Sequence, residues 1–218
     1  MRLISLFFSF ALLLPAMPLH AQWMHVGLDG ILGLHYNTLD AASYKTPVWN
    51  AAVGAHLTIA DPDNPRKAYF NGRLTFENDF ETYTVWGNIK QDFSFRDLVG
   101  SLQVHQRLND ALSVYVGLNL SVNVINTVAL RSEGSVFKYW GQRSGQLEAE
   151  VRQSIRKLNA GLEAGFMYPL GNGFNVGLHA TYYLLKRLNE DLDLVYPEGA
   201  SLNFRPVALK AQCTFDFL

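Results

Sequence analysis

Apolar and polar residues alternate with a period of two over much of the chain. In residues 23–36, Met24, Val26, Leu28, Gly30, Leu32, Leu34 and Tyr36 fall on one face, and His25, Gly27, Asp29, Ile31, Gly33 and His35 on the other. A strand places successive side chains on opposite faces, so this pattern predicts a strand with one greasy side. The same alternation marks residues 48–59, 68–77, 98–108 and 112–124. It returns in 158–168, 174–184 and 205–218. The fifth stretch is the most regular, with Leu112, Val114, Val116, Leu118, Leu120, Val122 and Val124 against Ser113, Tyr115, Gly117, Asn119, Ser121 and Asn123. Residues 78–95 alternate weakly, and 146–156 suit a helix face and a strand equally well.

The predicted fold is all-β: a transmembrane antiparallel up-and-down β-barrel of eight strands. An even count returns both chain ends to one side of the membrane. Short connections at 61–67, 109–110 and 170–173 then fall on the periplasmic side, and long ones near 37–47, 79–96, 125–156 and 186–203 on the outer side. Ten strands is the alternative, adding 82–91 and 146–156. It would put a connection of some twenty residues in the periplasm. A soluble sandwich or lipocalin-like barrel ranks third. Its solvated face would carry the polar residues, but whole strands bear almost no charge on the apolar face.

Composition supports export. Residues 1–21 read as a secretory signal: Arg2, an apolar run from Leu3 to Leu14, and a cleavage site at Leu19-His20-Ala21. The run is too short for a membrane helix and is followed by Pro15 and Pro18. Residues 22–218 then form one domain. That portion carries 17 Lys+Arg against 19 Asp+Glu, a net charge of −2, with no basic patch for nucleic acid. The single Cys213 has no disulfide partner and lies on a greasy face.

The chain resembles the small outer-membrane β-barrel proteins of Gram-negative bacteria. The resemblance rests on His-Ala-Gln at 20–22, the turn Tyr-Pro-Leu-Gly-Asn-Gly at 168–173 and Thr-Phe-Asp-Phe at 214–217. It is a likeness of pattern across the whole mature chain, and PorT-like barrels are similar in style. It implies an outer-membrane location, outer-membrane lipid as surroundings and assembly by the barrel-insertion machinery. It carries over no functional residue.

Catalytic and metal motifs are sparse. His20 leaves with the signal; His25 and His35, ten residues apart on one strand, and His56, His105 and His179 on three others form no His-x-His or His-x-x-x-His pair. Lipid-deacylating barrels carry a Ser–His pair on the lipid face, whereas these histidines are predicted to point inward. The expectation is therefore a non-enzymatic protein without a cofactor. Its role would be envelope structure, adhesion or support of a secretion or transport complex, with an envelope protein as partner. An outer-membrane lipid-modifying enzyme and a narrow pore or small-ligand carrier are the alternatives. Eight strands leave an interior that side chains can fill. The inward set predicts a lumen charge network of Asp29, Arg73, Glu77, Glu163 and Lys210, with Asp216 near it. Similar heights on neighbouring strands predict Lys210 beside Asp29, and Arg73 reaching Glu77 or Glu163.

Overall fold

The computed structural model of the chain describes residues 23–37, 48–60, 68–85, 89–109, 111–132, 155–185 and 206–217. Among them are eight strands: β1 (Trp23–Asn37), β2 (Val48–Ala60), β3 (Tyr69–Val85), β4 (Ile89–Asn109), β5 (Leu112–Ser132), β6 (Leu158–Gly171), β7 (Phe174–Tyr183) and β8 (Pro206–Phe217). Each pairs antiparallel with the next, and β8 pairs with β1 to close the barrel. Closure leaves the ladder through the barrel wall no open edge, the condition for strands to cross lipid.

The outward face is the greasy face read from sequence. Leu28, Leu32, Val53, Phe70, Leu102, Val116, Leu118, Leu162, Leu178 and Leu209 are exposed large apolar residues. Cys213 is exposed on the same face. In water such a surface would be a severe aggregation liability, whereas in a bilayer it is the solvated one. Trp49, Phe80 and Tyr182 lie near one end of the belt, and Phe70, Tyr168, Phe174 and Phe217 near the other. Aromatic rings suit both membrane interfaces because they combine an apolar body with a polar or polarisable edge.

The two ends differ. At one, called here the turn end, the connections are short. Ala111 N donates to Asn109 Oδ1 at 2.9 Å, an Asx-type turn joining β4 to β5. Asn172 and Gly173 have φ of 53° and 81°, the left-handed pair of a tight hairpin turn that matches strand twist. Gly171 beside them, at φ 98°, takes the register shift between Pro169 and Gly171.

At the other end, the loop end, the structure departs from expectation. Residues 79–96 were expected as a long loop, and 82–91 as a separate strand in the ten-strand alternative. Instead β3 and β4 continue as one hairpin, pairing as far as Val85 with Ile89. β5 likewise runs beyond Val124 and pairs Ser132 with Ile89. Three neighbouring strands thus form a ribbon that rises past the barrel wall. A register shift between Arg96 and Asp97 leaves Val124 as the extra residue of a bulge, so Ile125, not Val124, lies opposite Arg96. Apolar-outward alternation is a requirement of the lipid-spanning part of a strand and lapses beyond it. Residues 146–154 lie outside the described residues; Ile155 is buried.

Candidate functional site

The barrel interior is a stack of buried polar side chains. Lys210 and Glu77 are 1% and 4% exposed, and Lys210 Nζ donates to Glu77 Oε1 and Oε2 at 2.8 and 2.7 Å. Asn50 Nδ2 donates to Glu77 Oε2 at 3.3 Å and also to Asp79 Oδ1. Lys210 lies over its cross-strand partner Gly33, where an added Cβ would stand 2.8 Å from Lys210 Cγ. Gly33 therefore makes the space through which the lysine stem crosses the lumen.

A second group centres on Arg73 and Glu163. Arg73 Nε is 3.4 Å from Asp29 Oδ2, close enough for charge attraction but outside hydrogen-bond geometry, so neither atom has a hydrogen-bond partner. Arg73 Nη2 donates to Gln103 Oε1 at 3.4 Å. Gln103 Nε2 donates to Glu163 Oε2 at 2.7 Å, and Asn119 Nδ2 to Glu163 Oε1 at 2.9 Å. The orientation of Gln103 fixes His105: its Nε2, 3.1 Å from Gln103 Oε1, must be the donor, which leaves Nδ1 a bare acceptor.

All five residues of the predicted network lie buried inside the barrel. Their pairing is different from that expected. Lys210 does not lie beside Asp29; it meets Glu77. The β1–β8 register pairs Asp29 with Thr214 and Lys210 with Gly33. Lys210 is therefore offset from Asp29 along the wall by about 13 Å, at roughly 3.3 Å per residue. Barrel closure staggers neighbouring strands, so equal depth along two sequences is not equal height in space. Arg73 meets Asp29 and Gln103, and Gln103 links it to Glu163.

The sequence reading missed the role of His56. Its Nδ1 is 3.0 Å from Asp29 Oδ1 and its Nε2 is 2.6 Å from Asp216 Oδ1. Carboxylate oxygens only accept, so a proton must lie on each of these two lines. The ring, from β2, thereby ties β1 to β8 across the closing seam. It lies over Gly27, where a Cβ would collide with it. Asn175 Nδ2 on β7 donates to Asp216 Oδ2 at 2.9 Å. The inward glycine opposite His56 was the available signal, but its partner could not be named without the register. On the other wall Tyr69, His105 and Tyr115, cross-strand neighbours on β3, β4 and β5, stack at 4.6 and 4.5 Å between ring centroids.

Below this packed waist the lumen widens into a cavity of about 370 Å³ at the turn end. Arg73, His56 and His105 line it from within, and the exposed Arg107, Asn109 and Pro169 line it near the turns. No group of three or more His, Cys, Asp or Glu among the described residues is arranged to hold a metal ion.

A family model described as the outer membrane protein beta-barrel domain matches residues 6–214. The chain belongs to this family. Its closed eight-stranded architecture and apolar outer face are those of an outer-membrane barrel. The barrel is similar to neisserial surface protein A, at 12% identity and TM-score 0.48, over 91% of this chain and 100% of that one. It is similar to OprG of Pseudomonas aeruginosa, at 15% identity and TM-score 0.43, over 91% and 97%. It is also similar to Ail, the attachment invasion locus protein of Yersinia pestis, at 11% identity and TM-score 0.40, over 90% and 99%. No curated protein matches the chain.

Proposed function

We infer that this outer-membrane barrel is non-enzymatic and does not conduct, and that its working part is the loop end. Its role on this reading is envelope structure, adhesion or support of a secretion or transport complex. The observation that carries it is the waist: Lys210–Glu77, Arg73–Asp29 and Gln103–Glu163–Asn119 fill the lumen with nearly inaccessible side chains. Opening a path there would require separating buried charges from their partners. The β3–β5 ribbon, by contrast, lifts backbone beyond the lipid belt on one side, where a partner can reach it.

The test has two arms. Purified protein in planar bilayers should give no discrete conductance steps, and stepwise currents from the unaltered protein would overturn the closed-lumen reading. In cells, replacing residues 81–93 by a short turn should reproduce the phenotype of deleting the protein, while the barrel still folds. If a folded Gln103→Leu variant reproduces that phenotype and the shortened ribbon does not, the lumen rather than the loop end is the working part.

A further inference from the structure

We propose that the turn-end cavity is a binding site for a small organic anion, with the carboxylate or similar group held on Arg73 and entry governed by Arg107. Four observations converge on this.

The volume, about 370 Å³, lies within the range of about 300–1,000 Å³ usual for small-molecule sites. The charge of the lining is one-sided: Arg73 and Arg107 supply two guanidiniums, and Asp216 is the one carboxylate among the lining residues. Asp216 is already engaged at both oxygens, Oδ1 by His56 and Oδ2 by Asn175. Arg73 is buried, with the Tyr115 hydroxyl near it, yet its other contacts are long. Its contacts to Asp29 and Gln103 are both 3.4 Å, and its Nε has no hydrogen-bond partner. A guanidinium offers five donors in a fork suited to an oxyanion, and this one retains donors to give. Finally, the stacked Tyr69 and His105 rings both belong to the lining, with Arg107 5.7 Å over the Tyr69 ring. His105 is covered on both faces, by Tyr69 and Tyr115, so the stack presents ring edges to the cavity, suited to edge-on contact with the unsaturated or aromatic body of the ligand. The waist above makes the cavity a blind one, so the site binds rather than transmits, and it faces the side on which barrels of this class carry their short turns.

Benzoate and its neutral isostere benzamide are suitable probes, titrated into the full-length barrel in a neutral detergent and followed by ligand-observed NMR. Benzoate should bind saturably with Kd of about 10 mM or tighter at low salt, and at least about fivefold more tightly than benzamide. Arg107→Gln sits at the exposed rim and should leave the fold intact while weakening benzoate at least about threefold. Arg73→Lys keeps the charge but loses the fork, and should weaken it further. Equal binding of the two probes, no saturable benzoate binding, or benzoate binding unchanged in Arg107→Gln would each overturn the proposal. Because Arg107→Gln does not disturb the waist, a folding failure of Arg73→Lys leaves the test decisive.

Discussion

Removing Lys210 tests the waist most directly. Its ammonium is almost wholly buried and contacts both oxygens of Glu77. Lys210→Met keeps much of the stem volume but leaves the Glu77 carboxylate with the weaker hydrogen bond from Asn50 Nδ2, at 3.3 Å. Breaking one side of a buried pair costs about 3–5 kcal/mol, because the other charge is left uncompensated. Glu77→Gln should cost a similar amount by stranding the ammonium. The double variant removes both charges, so the two effects should fall short of additivity by about 2–3 kcal/mol. Lys210→Met combined with Asp29→Asn should add within about 0.5 kcal/mol, since those residues are well separated along the wall. Urea unfolding in phospholipid vesicles, followed by tryptophan fluorescence, gives all the required free energies. Coupling near zero between Lys210 and Glu77, or strong coupling between Lys210 and Asp29, would refute the register and the pairing drawn from it.

Leu118, 62% exposed on the outer wall, should resist charge: Leu118→Arg is expected to cost about 2–4 kcal/mol in lipid vesicles. Asn119→Arg, one residue along, should instead replace the hydrogen bond to Glu163 with a charge contact, and its cost should rise when Glu163 is also replaced by Gln, which strands the buried guanidinium. His56→Ala should cost about 2–3 kcal/mol, discounted for the partial exposure of Asp216, and Asp216→Asn in the same chain should recover part of it. In cells the mature protein is expected to begin at Gln22, to fractionate with the outer membrane and to migrate differently on gels when unheated; recovery as a soluble protein would contradict the membrane assignment.

The fold was largely legible because lipid imposes a simple rule on every wall strand: apolar outward at each second residue. Leu112 to Val122 and Phe174 to Tyr182 obey it, and their facing follows at once. The rule lapses where lipid ends. Asn78 to Phe95 alternates weakly because both faces break the rule at its ends, with apolar Phe95 buried inside and polar Asn78 paired with Arg96 on the outer face, and the bulge at Val124 changes phase without a sequence mark. Which residues point into the lumen was legible for the same reason as the outer face. Their partners were not. Alternation carries depth along one strand but nothing about the stagger between strands, so Lys210 was set against Asp29 rather than Glu77. The His56 bridge was hidden likewise, since its carboxylates come from the first and last strands.

The inward glycines have a consequence for how this chain can vary. Lys210 lies over Gly33 and His56 over Gly27, each long side chain occupying the hollow left by a missing one on the next strand. Such positions are not free to drift singly. A bulkier residue at 27 or 33 would be tolerated only alongside a shorter one at 56 or 210. Among natural variants these sites should therefore change together, as complementary exchanges of volume across the ladder. A wider conduit through the same scaffold would require several such exchanges at once.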